Sequence, residues 1–239
     1  MFTIVQAEFI AAGIKRLVIE APRVARKHKA GQFLILRIYE QGERISLTIV
    51  RSDPARGNIS IVVQAVGKTT HLLNSLQPGD DILEVVGPLG KPSEIALFAD
   101  VAAFGGGVGV AMAYPTAAAL KPAGNRVICL PGVRSRELVI LEREMLQVSD
   151  RVMVTTDDGS YGDKGLGTDK LRQLLEACDH LNRVVAIGPI PMQIAVADIT
   201  RKQNILTIVS LNPIMIDGTG MWVAAECSWM ARVDSREGQ

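Results

Sequence analysis

Cysteine is nearly missing from this chain: Cys129, Cys178 and Cys227 are the whole supply in 239 residues. Three thiols set far apart make no disulfide framework and suit a reducing cytoplasm. An excess of charge is also missing, since 26 Lys and Arg against 25 Asp and Glu leave a net charge of +1. Charge therefore gives no reason to expect nucleic acid or an anionic membrane as a partner. The opening MFTIVQAEFIAAGIKRLVIE lacks the basic-then-apolar order of a signal peptide. No unbroken apolar run spans a bilayer either: IALFADVAAFGGGVGVAMAYPTAAAL is interrupted by Asp100, a glycine cluster and Pro115. A buried strand, turn and helix accounts for it better. What is present, 48% hydrophobic and 21% charged residues, is globular composition in a chain long enough for one large domain or two ordinary ones.

The chain changes rhythm once. Up to about residue 90, short segments rich in Val and Ile (TIVQAEFI, KRLVIEA, QFLILRIY, RISLTIVR, NISIVVQAV, DILEVV) alternate with turn signals such as Pro78-Gly79-Asp80. Six strands with one short helical segment, TTHLLNSL, predict a closed or nearly closed antiparallel β-barrel. From Ile95 onward, strand-like VAAF, RVICLPG, RVMVTT, RVVAIG and ILTIVS alternate with helical AMAYPTAAALKPAG, LVILEREML, GTDKLRQLLEAC and PMQIAVADITRKQ. That alternation predicts an α/β domain with a parallel sheet. The expected division is a barrel domain over 1–92, an α/β domain over 93–212 and a tail over 213–239.

Three loops of the second half end strands and start helices. In FGGGVGV, residues 104–110, glycines let backbone N–H groups approach an anion at a helix N-terminus, a seat for a dinucleotide pyrophosphate. The six-residue glycine fingerprint of dinucleotide folds is missing, and so is an acidic residue about 20 positions on. A bare tight turn reads equally well. In TTDDGSYGDKGLGTDKL, residues 155–171, Asp157 or Asp158 are candidates to accept ribose hydroxyls, with Thr168 as the expected helix N-cap; the bland alternative is a solvated loop. In IGPIPMQIAV, residues 187–196, a Gly-Pro turn starts a helix. Three such loops at carboxyl ends of successive strands favour a dinucleotide site over coincidence.

In the barrel half, Arg44, Ser46 and Thr48 fall at alternate positions of one strand and so share a face. Gly67, Lys68, Thr69 and Thr70 stand at a helix start, a second candidate anion site. Lys68 before two threonines looks like a nucleotide-triphosphate lysine, but that motif's first glycine is replaced by Val62, which argues against ATP. His28, His71 and His180 occupy surface-like or helical contexts without a partner that suggests catalysis, and Cys129 and Cys178 read as buried filler.

Taken together, ERISLTIV, VVQAVGKTT, VVGPLGKPSEI, TTDDGSYGDKG, AIGPIPMQ and SLNPIMIDGTGM resemble the ferredoxin–NADP reductase superfamily. Within it they are most similar to the small subunits of NADH-dependent reduced ferredoxin:NADP oxidoreductases, also called sulfide dehydrogenases. Dihydroorotate dehydrogenase electron-transfer subunits are more distant relatives. The resemblance covers residues 1 to about 221. It implies a flavin-dependent electron-transfer subunit: FAD on the barrel, NAD(H) or NADP(H) on the sheet domain, hydride transfer between them, and onward electron transfer to a larger flavoprotein subunit, with ferredoxin as an indirect partner. By the same resemblance, Arg44, Ser46, Leu47, Thr48, Val63 and Gln64 line the flavin, and Gly67, Lys68, Thr69 and Thr70 hold its pyrophosphate. Gly106, Gly107, Val108, Gly109, Val110, Asp157, Asp158, Gly159, Ser160, Gly188, Pro189 and Met192 form the nicotinamide-nucleotide loops. Ser46 stands where the subfamily more often has Pro, and Ile187 where many reductases carry a cysteine near the nicotinamide. Cofactor chemistry needs no general acid or base from the protein, so none is assigned.

In the family, the stretch after GTGM carries cysteines for a two-iron two-sulfur cluster held by four thiolates. This chain has Trp222 and Ala225 at the first two ligand positions and a single thiol, Cys227, nearby, so the expectation is that the cluster is absent. Codons for Trp222 to Ala231, read one base out of phase, admit Cys-Gly-Cys-Cys-Arg-Val-Phe-Val-Asp-Gly, which matches the family. The expectation is a one-base deletion that truncates an iron–sulfur segment; a genuine cluster-free subunit that binds nucleotide without relaying electrons is the alternative.

Overall fold

The computed structural model describes residues 1–177, 180–210 and 230–233. They divide into two compact units, Met1–Ser93 and the residues from Glu94 onward. Cys178 and the tail positions Trp222, Ala225 and Cys227 lie outside the described residues.

The first unit contains β1 (Phe2–Ala11), β2 (Ile14–Glu20), α1 (Pro22–Lys27), β3 (Phe33–Arg37), β4 (Ile45–Thr48), β5 (Arg51–Asp53), β6 (Asn58–Gln64), α2 (Lys68–Ser75), β7 (Asp81–Ile82) and β8 (Glu84–Leu89). Its strands form two antiparallel sheets, in the orders β5-β6-β2-β1-β7 and β4-β3-β8. One apolar core joins them: Ile4, Leu17 and Ile61 from the first sheet pack in the same cluster as Leu34, Leu36 and Val85 from the second. Alternation along the strands makes this possible, because every second side chain faces the same way. Ala12 and Gly13 close the β1–β2 hairpin, with Gly13 at φ 67, a left-handed backbone that glycine adopts without strain.

Two segments read from the sequence as single strands are each broken in two. RISLTIVR divides into β4 and β5, because Ile49 and Val50 turn into the core between them, and DILEVV divides at Leu83. Helix α1 was not legible from the apolar rhythm. It rests on Pro22 at its first turn and on the burial of Val24 and Ala25.

The second unit contains β9 (Asp100–Gly106), α3 (Gly109–Leu120), β10 (Arg126–Val133), α4 (Glu142–Val148), β11 (Arg151–Val152), β12 (Thr155–Thr156), β13 (Asp163–Lys164), α5 (Gly167–Glu176), β14 (Arg183–Ile187), α6 (Ile190–Arg201), β15 (Leu206–Ser210) and β16 (Met230–Val233). The sheet order is β13-β12-β10-β9-β14-β15-β16, with β11 also on β10. All pairs are parallel except β15 with β16. The central β9 and β14 are buried almost throughout, as expected for strands covered on both faces. The chain runs outward from β9 through β10 and β12 to one edge, then returns to β14 on the other side of β9. Neighbouring connections leave on opposite sides there, the kind of switch point beside whose strand ends ligands of open α/β sheets bind.

Three details depart from the sequence reading. The LVILEREML segment is helical only over Glu142–Val148, after a short 3-10 turn and Leu141 at φ 54. RVMVTT is two short strands rather than one. Thr168 does not cap α5: Leu166 holds the N-cap position, and Thr168 is buried inside the first turn. Among the described residues no helix is long and apolar enough to cross a membrane.

Candidate functional site

In the first unit, α2 begins abruptly at the end of β6. Gly67, its N-cap, is extended, and a methyl group added there would meet nothing nearer than the Thr70 hydroxyl at 4.0 Å. Thr70 Oγ1 accepts hydrogen bonds from the N–H groups of Gly67 (2.9 Å) and Val66 (3.0 Å) and donates to the Gly67 carbonyl. That braces the turn, and among the described residues no hydrogen bond occupies the N–H groups of Lys68, Thr69 and Thr70, the donors that a helix start offers to an anion. The Thr70 hydroxyl is thus spent on shaping the loop. Thr69 Oγ1 instead donates to Glu43 Oε2 at 2.7 Å, so the loop carries an acidic neighbour.

The same helix is anchored at its far end. Lys15, 1% exposed, reaches from β2 to donate to the carbonyls of Leu76 (2.5 Å) and Asn74 (3.0 Å), with the Phe9 ring 5.0 Å away. An ammonium is well placed at a helix C-terminus, where carbonyls lack internal partners. Asn74 Nδ2 adds a bond to the Gly13 carbonyl, which also accepts from Ala65 N–H.

Arg44 stands just before β4, with Nη2 3.2 Å from Glu84 Oε2, and Arg37 holds the other oxygen of the same carboxylate. The Arg37 hydrogen bond, with the charges of both guanidinium groups, keeps the Glu84 carboxyl below its ordinary range. Ser46, Leu47 and Thr48 pair with Ile35, Leu34 and Phe33 of β3 and are each half-buried. Val63 differs, since its side chain is fully in the core and only its backbone is available to a ligand, while Gln64 is half-buried.

In the second unit, the loops after β9 and β14 are pressed together. A Cβ on Gly188 would come within 2.9 Å of the Gly106 Cα, one on Gly106 would run into Met192 Sδ and reach Pro189 Cδ at 3.0 Å, and one on Gly109 would strike the Ile187 carbonyl. These glycines are there for close packing. Gly107 is different: φ is 57, its N–H donates to the Gly132 carbonyl at 2.9 Å, and nothing lies within 4 Å of where a Cβ would be. It is the position with open space beside the backbone, although its N–H and carbonyl are both engaged, the carbonyl by Val110 N–H at 3.3 Å. Val110 is buried, so it contributes backbone and packing only.

The third loop follows β12. Ser160 Oγ accepts from Arg136 N–H at 2.8 Å and donates to Asp158 Oδ1 at 2.6 Å; Asp158 Oδ1 also takes Ser160 N–H at 2.9 Å. Those bonds, side chain first, hold the Asp158 carboxyl below its usual range. Asp157, exposed, has no side-chain hydrogen bond or ion pair among the described residues. Gly159, at φ 74, makes the turn between them and Ser160. Two buried polar atoms of this unit have no partner among the described residues: Thr155 Oγ1, 3.4 Å from where a Cβ on Gly132 would stand, and Gln193 Oε1 in α6. Glu43, Glu84, Lys15 and Gln193 were not singled out from sequence; a buried Lys opposite a helix end is the kind of signal only a fold supplies.

His28 lies apart from these loops with Nδ1 3.0 Å from Ser52 Oγ, and burial lowers its pKa. His71 and His180 are exposed.

Comparison with known proteins agrees with the two-part fold. The oxidoreductase FAD-binding domain model matches residues 1–93. A Thermotoga maritima homolog of the dihydroorotate dehydrogenase B (NAD(+)) electron transfer subunit is 43% identical over 91% of this chain and 77% of its own. The Geobacillus thermodenitrificans electron transfer subunit is 32% identical over 94% of this chain and 87% of its own. The solved structure of NADH-dependent reduced ferredoxin-NADP oxidoreductase, studied for flavin-based electron bifurcation, superposes with a TM-score of 0.87 at 42% identity, covering 94% of this chain and 80% of that one. A ferredoxin NADP+ reductase from Neisseria gonorrhoeae shares the fold at 18% identity, with a TM-score of 0.68 over 88% of this chain and 98% of its own. The chain belongs to the ferredoxin–NADP reductase-like family of FAD-binding oxidoreductases, among its electron-transfer subunits.

Proposed function

We propose that this subunit takes reducing equivalents from a nicotinamide nucleotide through FAD and passes them to a larger flavoprotein subunit. The observation that carries the reading is the α2 start: a rigid, open turn at Gly67 with helix N–H groups free to meet a pyrophosphate, inside residues that match an FAD-binding model. Bound flavin and nicotinamide supply the redox chemistry, a hydride passing between them. The chain's own residues bind and orient. Gly67, Lys68 and Thr69 hold the pyrophosphate, Arg44 adds positive charge, and Ser46, Leu47, Thr48, Gln64 and the Val63 backbone line the flavin. In the second unit, the Gly106 to Val110 turn receives the nucleotide's phosphates in the open space beside Gly107. Asp157, with Asp158, Gly159 and Ser160, receives its ribose, and Gly188, Pro189 and Met192 its nicotinamide.

A second reading concerns the partner alone. The Geobacillus relative is named as a dihydroorotate dehydrogenase electron transfer subunit and the Thermotoga relative as a homolog of one, which favours a dihydroorotate-oxidising partner. We place the work in a reducing cytoplasm, and expect residues 1–239 to hold no iron–sulfur cluster of their own, since one thiol follows Met221. Purified protein tests the reading: FAD absorbance that bleaches anaerobically on adding NADH or NADPH supports it, whereas protein that neither retains nor rebinds FAD overturns it. Iron analysis tests the cluster, and co-purification with the neighbouring gene's product tests the partner.

A further inference from the structure

Gln193 sits in the first turn of α6 and is 3% exposed, yet nothing in its sequence context marks it as more than a helix residue. Its Nε2 donates to two backbone carbonyls, Gly188 at 2.6 Å and Ser210 at 2.9 Å. The two acceptors fix the amide's orientation, with nitrogen toward them and oxygen away. Oε1 is then buried with no partner among the described residues. Burying an unmet carbonyl is unfavourable, and an apolar side chain of similar length would avoid it. What the amide contributes is therefore what its nitrogen holds.

What it holds is specific. Gly188 is followed by Pro189, which has no N–H, and the turn lies with Gly188 against Gly106 and with Pro189 and Met192 over the same glycine. Ser210 is the last residue of β15, in register with Ile187 at the end of β14. A single side chain therefore ties the carboxyl ends of two adjacent strands and sets the direction of the Gly188 carbonyl. Ile187 and Gly188 in turn press on Gly109 and Gly106 of the loop after β9.

We infer that Gln193 is a positioning residue for nicotinamide-nucleotide binding, which holds the Gly188–Met192 turn in its binding conformation through the Gly188 and Ser210 carbonyls. The inference rests on the proposed nucleotide role of that turn. It separates binding from chemistry, because Gln193 is buried and touches no reacting atom.

The full-length FAD-loaded protein is assayed for NADH-dependent ferricyanide reduction. Gln193→Met, similar in length but without donors, raises the KM for NADH about tenfold while kcat changes far less and FAD content stays at the wild-type level. Gln193→Glu faces two carbonyls with a carboxylate and is impaired at pH 8. Its KM recovers toward wild type as pH falls and the protonated acid regains a donor, a rescue that Gln193→Met does not share. A Gln193→Met protein with wild-type KM, or a Gln193→Glu protein whose KM ratio to wild type is flat with pH, overturns the inference. If the variants do not fold, the wild-type Gln193 side-chain amide is followed by NMR: slow exchange and a shift on adding NADH support the role, and free exchange or no shift overturns it. Wild-type protein that neither NADH nor NADPH bleaches overturns the nucleotide reading as well, whereas wild-type bleaching with an indifferent Gln193→Met overturns this inference alone.

Discussion

Gly188 and Gly106 approach so closely that a methyl group on the first would stand 2.9 Å from the α-carbon of the second. Glycine at the β9 turn therefore has two different meanings. Gly109→Ala drives a Cβ into the Ile187 carbonyl and should cost about 1–3 kcal/mol or more of stability. Gly107→Ala meets no atom but takes a left-handed backbone, at about 1–2 kcal/mol, and places its methyl where we locate the nucleotide phosphates. Thermal unfolding and NADH titration should separate the two: stability falls more in Gly109→Ala, and NADH affinity falls out of proportion to stability in Gly107→Ala.

Arg44 is partly exposed and paired with Glu84, so removing it should disturb the fold little. Its loss should instead weaken FAD binding roughly tenfold or more, the scale of one charge-assisted hydrogen bond. Flavin fluorescence titration of apoprotein measures this for Arg44→Ala. The same carboxylate gives a pH dependence. Glu84 titrates below its ordinary 4.5 in the folded protein, so its pairing is complete at neutral pH and is lost only as pH falls through that lowered value. Arg44 should therefore stay oriented at all pH values above the ordinary carboxylate range, and wild-type FAD affinity should be insensitive to Glu84 titration between pH 6 and pH 8.

The alternation of apolar residues made the two halves legible, because period-two and helical rhythms follow directly from which faces are buried. The glycine turns between strand and helix were legible for the same kind of reason, because glycine accepts the backbone and the close approach that such turns require. What rhythm does not carry is a break forced by the core, as at Ile49 and Val50, or a helix of six residues such as α1, too short to show a period. Nor could composition tell a glycine needed for packing, such as Gly109, from one with a left-handed backbone beside open space, such as Gly107. Gln193 and Lys15 were hidden because their partners, Ser210 and Asn74 to Leu76, are backbone carbonyls that leave no trace in residue type.

Lys15 should prove essential to the α2 anchor. Lys15→Met leaves the Asn74 and Leu76 carbonyls without their donor, a loss of about 1–3 kcal/mol. Chemical denaturation of apoprotein measures it, and FAD affinity should fall with it because the far end of the same helix forms the Gly67 turn.

Cys129 is buried in β10, and burial pushes its thiol up to about 11, only partly offset by a hydrogen bond with Ser149. At pH 8 almost no thiolate forms, and the thiolate is the reactive species. With Cys178 and Cys227 replaced by serine, the folded protein should react with a thiol reagent such as Ellman's only as fast as it unfolds. Rapid labelling under native conditions would contradict the burial.

Asp157 and Asp158 are adjacent but not equivalent. Asp158 Oδ1 is committed to the Ser160 hydroxyl and N–H, which shape the loop, whereas Asp157 has no such partner among the described residues. A free carboxylate at the end of a parallel strand accepts ribose hydroxyls and repels a phosphate in their place. The protein should therefore prefer NADH to NADPH. Asp157→Asn should lower kcat/KM for NADH by about tenfold while narrowing the gap to NADPH, since the repulsion goes with the charge. Asp158→Asn should loosen the loop and weaken both nucleotides together. If Asp158→Asn alone changes the NADH to NADPH ratio, the two roles are exchanged and Ser160 is released from Asp158 on binding.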